Sequence, residues 1–172
     1  MAKVDKNIVS ITDLAIGYES KNIAERINFE LETGMLCGVV GINGIGKSTL
    51  LRTLGGFQPK LDGNIRLKDQ NLEKYTSSDL SKELSVVLTE QPASKNLTVQ
   101  ELIALGRQPY TNWLGTLTKK DKQQIEDSLD AFLLKNLRHR KCHQLSDGQL
   151  QRVLVARAMA QDTSLILLDE PT

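Results

Sequence analysis

The chain has 172 residues, a formal net charge of +1 at pH 7 and 25% charged residues. This length is sufficient for one domain with a hydrophobic core, and the balanced charge gives no reason to expect a nucleic-acid or membrane-surface partner. The amino terminus, Met1 to Ser10, lacks the apolar stretch of a signal peptide, and the longest apolar runs are too short to span a bilayer. We therefore expect a soluble, cytosolic protein.

The first half of the chain is predicted to be mostly β-sheet. Gly34 and the pair Asp62-Gly63 are turn signals that separate short runs of β-branched and apolar residues. The runs that predict strands are Ile8 to Ile11, Ile27 to Leu31, Met35 to Val40, Ile65 to Leu67 and Leu84 to Leu88.

The second half is predicted to be helical. Thr98-x-x-Glu101 and Thr118-x-x-Asp121 have the capping-box spacing that begins a helix. A third helix is predicted from Ser146, and it leads into an apolar strand at Ser164 to Leu168. In the second helix, apolar residues recur at helical spacing and predict a buried face. The residues of this face are Ile125, Leu129, Phe132 and Leu133.

A phosphate-binding loop is the strongest motif in the chain. Residues Gly41 to Ser48 fit G-x-x-x-x-G-K-[ST], between a predicted strand at Leu36 to Val40 and a predicted helix at Ser48 to Leu54. Glycines let backbone N–H groups surround phosphates, and the start of a helix attracts anions. Lys47 supplies a positive charge for the β- and γ-phosphates, and the Ser48 hydroxyl is a ligand for Mg²⁺. The candidate nucleotide-binding residues here are Gly41, Asn43, Gly44, Gly46, Lys47, Ser48 and Thr49.

Two carboxylates follow the last predicted strand. In an α/β sheet, Asp169 and Glu170 would lie at the carboxyl end of a buried strand, where ligands bind. Asp169 is predicted to hold Mg²⁺, and Glu170 to orient or deprotonate the attacking water. Taken alone, the pair is equally well explained as solvated acids that end a strand. Together with the phosphate loop, it indicates a nucleotide-hydrolysing site.

Residues 145–149, Leu-Ser-Asp-Gly-Gln, resemble the signature sequence Leu-Ser-Gly-Gly-Gln of ABC ATPases. The resemblance extends through residues 145–161 and 168–172 and covers essentially the whole chain. It implies an α/β fold: a P-loop NTPase core with an antiparallel β section and an inserted helical subdomain. Residues 1–91 and 147–172 would form the nucleotide-binding core, and residues 92–146 the helical subdomain.

The resemblance also assigns roles around ATP. Two subunits of this family pair head to tail, so that Ser146, Gly148 and Gln149 would contact the ATP of the second subunit. Tyr18 occupies the place of an aromatic residue that stacks on adenine.

A glutamine of the family senses the γ-phosphate and the metal, and here either Glu90 or Gln91 takes that role. Gln91 is preferred because a neutral amide approaches both groups without repulsion. The resemblance thus gives Lys47, Gln91 and Glu170 as catalytic residues, and Ser48, Gln91 and Asp169 as metal ligands.

The helical section is more loosely similar to the ATPases of importers for iron chelates, haem and cobalamin. The similar stretches are Leu97 to Tyr110, Trp113 to Gly115 and Lys119 to Asp121. This similarity implies integral-membrane permease subunits as partners, a solute-binding protein as an indirect partner, and a place on the inner face of the cell membrane. Tyr110 and Trp113 would either face the permease or anchor a loop as buried aromatics.

Two departures from the family pattern bear on activity. Asp147 replaces a glycine of the signature and brings a negative charge towards the neighbour's γ-phosphate. The family continues beyond the position of Thr172 with a histidine that contacts the γ-phosphate, and neither His139 nor His143 can replace it. We therefore expect a cassette truncated at its C-terminus, whose isolated 172-residue chain is inactive.

Two other functions remain open. One is a soluble ABC ATPase without a membrane partner, and the other is an inactive nucleotide-binding fragment. The residues do not fix the transported solute, the direction of transport or the permease, because an ATPase subunit does not touch the cargo.

Overall fold

The computed structural model describes residues 7–19, 21–68, 70–88 and 96–169. The chain divides into two compact units between Leu80 and Ser81. The predicted subdomain limits stay a prediction. No helix in the described part of the chain is long and apolar enough to cross a membrane.

The first unit contains helix α1 (Lys47–Leu54) and an antiparallel sheet. The strands of this sheet are β1 (Asn7–Tyr18), β2 (Lys21–Glu32), β3 (Asp62–Leu67) and β4 (Gln70–Asn71), in the order β2-β1-β3-β4. The central strand β1 pairs with β2 through Ile11 and Phe29 and with β3 through Ile11 and Ile65. Apolar residues of β1 such as Leu14 and Ile16 are buried, and Leu50 of helix α1 is buried as well.

The predicted strand from Met35 to Val40 is wrong. This segment is irregular, and Leu36 is 99% exposed. A strand forms only where a neighbour accepts and donates the backbone hydrogen bonds of its ladder. The described strands of the first unit pair with one another and leave this segment out. An apolar composition was therefore not enough to make a strand here, although the strand predictions at β1, β2 and β3 are confirmed.

The second unit combines a two-stranded parallel sheet with three helices. Strands β5 (Leu84–Val87) and β6 (Leu165–Leu168) pair in register from Leu84 with Leu165 to Val87 with Leu168. Helix α2 (Ser77–Glu83) precedes β5 and crosses the sequence boundary between the units. The remaining helices are α3 (Val99–Ala104), α4 (Lys119–Ala131) and α5 (Asp147–Ala160), with 3₁₀ turns at Leu105–Tyr110, Lys135–Leu137 and Cys142–Gln144; a further 3₁₀ turn, Leu72–Lys74, belongs to the first unit.

Capping boxes begin α3, α4 and α5; the sequence predicted those at Thr98 and Thr118, and at Ser146 it predicted only that a helix starts. The hydroxyl of Thr98 accepts a hydrogen bond from the backbone N–H of Glu101 at 3.2 Å, and Thr118 and Asp121 repeat this contact at 3.2 Å. Ser146 accepts from the N–H of Gln149 at 3.3 Å. Each cap satisfies an N–H group that the helix itself leaves without a partner. These local signals are why the helix starts were predictable.

The end of α4 differs from the prediction at Leu133. This residue is 81% exposed and has a φ of 55°, in the left-handed region. The N–H of Leu134 donates to the carbonyl of Leu129 at 2.8 Å, which is the hydrogen bond of a Schellman helix end. Because the helix ends before Leu133, this residue does not continue the buried face of the helix. Leu134 is buried in the core instead. The predictions for Ile125 and Leu129 as buried residues are confirmed.

A buried ion pair joins the 3₁₀ turn Leu105–Tyr110 to α4 and α5. The fully buried Arg107 donates through Nε to Oδ1 of Asp121 at 2.8 Å and through Nη1 to the carbonyl of Ala160 at 2.8 Å. The other oxygen of Asp121 accepts from the N–H and the hydroxyl of Thr118 at 2.8 and 2.6 Å. The Arg107 guanidinium also lies 4.0 Å from the ring centre of Tyr110. Tyr110 is thus a half-buried anchor of its loop, which is one of the two roles predicted for it.

Candidate functional site

The phosphate loop has a backbone that only glycine readily adopts at two of its positions. Gly44 has a φ of 82° and Gly46 a φ of 109°. A Cβ atom on Gly46 would also lie 2.6 Å from Cγ2 of Ile23, a distance that real Cβ atoms do not show. Both the conformation and the close approach to β2 therefore require glycine, which agrees with the spacing of the motif.

Helix α1 begins directly after this loop with Gly46 as its N-cap. Gly46 provides no side-chain cap, and the first turn of the helix contains no acidic residue. The backbone N–H groups at the start of a helix carry a partial positive charge, and an acid nearby would cancel it. The start of α1 thus has the electrostatics that suit a phosphate group.

Lys47 holds its ammonium group over the phosphate loop. Its Nζ atom donates to the carbonyl of Gly41 at 2.9 Å and to that of Ile42 at 3.1 Å. These are neutral acceptors, so the positive charge of Lys47 is not neutralised by these contacts. Residues Gly41 to Ile45 around it are exposed, and an anion can reach the ammonium group from solvent.

Tyr18 and Thr49, two further predicted nucleotide-binding residues, lie side by side. The Tyr18 hydroxyl is 3.5 Å from Oγ1 of Thr49, and either oxygen can be the donor. Tyr18 ends β1 and is 53% exposed, whereas Thr49 is buried in the second position after Lys47. The first unit therefore brings Tyr18 to the helix that begins at the phosphate loop, with part of its ring accessible for stacking.

The signature residues of the second unit lie at the start of α5. Ser146 is the exposed N-cap of this helix. The side-chain oxygen of Gln149 accepts a hydrogen bond from the Ser146 N–H at 3.0 Å. Asp147 is exposed in the first turn, and a Cβ atom on Gly148 would meet nothing within 4 Å. The surface around Gly148 is thus open to an approaching ligand, but a carboxylate stands beside it.

Asp169 directly follows β6 and is buried. Its N–H donates to the carbonyl of Val87 at 2.9 Å, so the backbone pairing with β5 continues to the aspartate. Its carboxylate and the Ser48 hydroxyl are both hard oxygen donors of the kind that Mg²⁺ prefers, and they fit this metal by their chemistry. The predictions for Glu170, Gln91 and Glu90 lie outside the described residues.

No group of three or more His, Cys, Asp or Glu side chains that could hold a metal occurs within ranges 7–19, 21–68, 70–88 and 96–169. In nucleotide sites Mg²⁺ is usually bound by one or two carboxylates together with substrate phosphates, so the proposed site does not need such a group. The role of Asp169 as a ligand stays a prediction.

Arg107 is the main residue that the sequence analysis missed. Asp121 was identified only through its capping box, and no motif linked it to an arginine fourteen positions earlier. An arginine that immediately follows Gly106 at the end of an apolar helix was the available signal. A Cβ atom on Gly106 would lie 2.3 Å from the carbonyl oxygen of Arg157, so this glycine allows the turn to pack closely on α5.

Comparisons with known proteins give one consistent result. The family model described as ABC transporter matches residues 24–172. The iron(3+)-hydroxamate import ATP-binding protein FhuC of Bacillus subtilis is 35% identical over 166 residues, which are 96% of this chain and 62% of FhuC. The ferric enterobactin transport ATP-binding protein FepC of Escherichia coli is 33% identical over 159 residues, 92% of this chain and 59% of FepC.

Solved structures agree with these relatives. An inward-facing structure described as a metal-chelate type ABC transporter has a TM-score of 0.81 and 31% identity, and covers 97% of this chain and 61% of its own. A nucleotide-free ATP-binding cassette from an ABC transporter has a TM-score of 0.83 at 20% identity, over 96% of this chain and 70% of its own. The chain thus spans about 60% of the length of the two curated relatives.

Proposed function

Because the chain belongs to the ABC transporter family, we propose that it is the ATP-binding and ATP-hydrolysing subunit of an importer. The observation that carries this proposal is the phosphate loop, which is exposed from Gly41 to Ile45, has glycines at the two strained positions, and leads into a helix start without a side-chain cap, beside the Lys47 ammonium group. The solute is an iron chelate, haem or a cobalamin-type compound. The relatives FhuC and FepC, which are named for importing iron(3+)-hydroxamate and ferric enterobactin, support this class.

In the proposed mechanism, the phosphate loop and the start of α1 bind the polyphosphate of ATP. Lys47 exchanges its two carbonyl contacts for oxygens of the β- and γ-phosphates, and Tyr18 stacks on adenine. Ser48 and Asp169 would hold Mg²⁺, with Gln91 as a further ligand. The metal supplies neutralisation of the charge that develops on the phosphates. Glu170 accepts a proton from the attacking water or orients it.

The proposed active form contains two ATPase subunits. The start of α5, with Ser146, Gly148 and Gln149, contacts the ATP bound by the second subunit, because backbone N–H groups at the start of a helix attract anions and the surface at Gly148 is open. Asp147 in the first turn weakens this attraction. Closure then depends on the γ-phosphate and is relaxed by hydrolysis. We further propose permease subunits in the membrane as direct partners, a solute-binding protein as an indirect one, and a location on the cytoplasmic face of the cell membrane.

Replacing Glu170 by glutamine tests the proposed function. The variant is expected to bind ATP and to release no phosphate, because the amide cannot accept the proton of the attacking water. Phosphate release and retained nucleotide are measured together in the protein assembled with its permease. Glu25→Gln, in an exposed part of β2, is the matched control and is expected to keep normal turnover. Normal turnover in Glu170→Gln would assign the base to another residue.

A second experiment concerns the charge of Asp147 in the same assembled protein. Asp147→Gly and the similarly sized Asp147→Asn are both expected to raise ATP turnover, because each removes a negative charge that repels the neighbour's γ-phosphate. Two like charges in a surface environment repel by about 1 kcal/mol or more, which corresponds to roughly fivefold. Asp79→Asn, in the first turn of α2, is the control. Unchanged or lower turnover in both Asp147 variants would refute the repulsion.

A further inference from the structure

Two large apolar side chains project into solvent from the loop between the 3₁₀ turn Leu105–Tyr110 and α4. Trp113 is 91% exposed and Leu114 is 66% exposed, and we call this pair the apolar tip. Oδ1 of Asn112 accepts hydrogen bonds from the N–H groups of Leu114 and Thr116 at 3.1 and 3.0 Å. The Asn112 side chain therefore holds the backbone of this loop, and Trp113 and Leu114 are exposed to solvent.

The apolar tip is followed by a cluster of lysines at the start of α4. Lys119, Lys120 and Lys122 are all exposed. The acid among them, Asp121, is buried against Arg107 and does not offset their charge towards solvent. Lys120 lies 3.4 Å from Asp162, but both side chains are largely exposed, so solvent screens this contact. The segment thus combines exposed apolar side chains with an excess of positive charge.

We propose that the apolar tip and the adjacent lysines form a contact with an anionic membrane surface. Trp113 and Leu114 enter the headgroup region, where an amphipathic indole ring is favoured, and the lysines bind lipid phosphates. A protein partner is less suited to this feature, because specific protein interfaces bury about 800 Å² on each side around an apolar centre. Two side chains at the tip of a loop fit a soft bilayer better than such a flat, extensive interface.

This inference rests on the proposed function in one respect: a subunit that is bound to a permease lies beside a membrane. Binding to lipid requires neither ATP nor a second subunit. The test is therefore run on the purified protein without nucleotide and without permease. Its failure would leave the ATPase proposal intact, and a failure of ATP binding would leave the lipid result intact.

Trp113 is the only tryptophan of the chain, so its fluorescence reports on the apolar tip alone. On titration with vesicles rich in phosphatidylglycerol, its emission is expected to shift to shorter wavelength, and with pure phosphatidylcholine vesicles the shift is expected to be much weaker. Lys119→Gln and Lys122→Gln are each expected to weaken binding about fivefold, because one lysine near an anionic surface contributes roughly 1 kcal/mol. Leu114→Asp is expected to abolish the shift.

The control is Leu133→Asp, which places the same charge on another exposed leucine of the second unit and is expected to bind vesicles normally. Leu36→Asp tests the exposed apolar segment of the first unit in the same way. Unchanged Trp113 emission with anionic vesicles would overturn the proposal. So would vesicle binding that is lost in Leu36→Asp but kept in Leu114→Asp. A shift seen only with reconstituted permease would assign the tip to a protein partner and would also overturn it.

Discussion

Replacement of Lys47 by alanine is expected to abolish ATP binding. In the structure the Lys47 ammonium group donates to the neutral carbonyls of Gly41 and Ile42, so ATP offers it stronger, charged acceptors. Hydrogen bonds to charged groups contribute about 1.5–3 kcal/mol each, and loss of two of them weakens binding by roughly two to four orders of magnitude. Titration of the protein with a fluorescent ATP analogue measures this loss directly.

Two further variants separate the role of Lys47 from a general effect of charge. Lys74→Ala removes a lysine of the same unit from a 3₁₀ turn outside the phosphate loop and is expected to leave affinity unchanged. Lys47→Arg keeps the charge but changes its shape, and an intermediate affinity is expected. Circular dichroism of each variant checks the fold. Full affinity in a folded Lys47→Ala protein would refute the assignment of the phosphate loop.

The sequence predicted those parts of the fold that depend on local signals. Capping boxes at Thr98, Thr118 and Ser146 place a hydroxyl and a side-chain acceptor three residues apart, and such contacts form wherever the helix begins. The segment Met35 to Val40 was predicted wrongly because a strand depends on a neighbour that its own residues do not specify. Leu133 was misplaced for a related reason, since the helix ends in a left-handed residue without the usual glycine.

In the candidate site, too, features formed by contiguous residues were predictable from residue types and spacing, whereas contacts between distant residues were not. The loop from Gly41 to Ser48 is contiguous, so its residue types and spacing were enough to predict it. Tyr18 was identified only through resemblance, because its approach to Thr49 depends on how β1 packs near α1. The pairing of Arg107 with Asp121 was not predicted. Nothing in the sequence indicates that both side chains are buried, and it is their burial that requires the two charges to pair.

The buried pair of Arg107 and Asp121 leads to the largest expected effect on stability. Asp121→Asn would leave the Arg107 guanidinium buried without its counter-charge, and it would remove an acceptor shared by the N–H and hydroxyl of Thr118. Removal of one partner from a buried pair typically costs about 3–5 kcal/mol. The free energy of unfolding, measured by urea denaturation and circular dichroism, is expected to fall by this amount. Lys120→Ala disrupts the exposed contact with Asp162, and a loss below about 1 kcal/mol is expected there.

The dependence on pH distinguishes loss of this charge from simple damage to packing. Burial raises the pKa of Asp121, but the hydrogen bonds from Thr118 and Arg107 more than offset this, so the pKa lies below its ordinary value. A carboxyl group with a lowered pKa stabilises the folded state above its unfolded pKa of about 4, and this contribution is lost as the pH falls through the folded value. The stability difference between wild type and Asp121→Asn should therefore be full at pH 7 and shrink in acid. A difference that stays constant to the lowest pH at which both proteins fold would show that packing, and not the carboxylate charge, is what the variant removes.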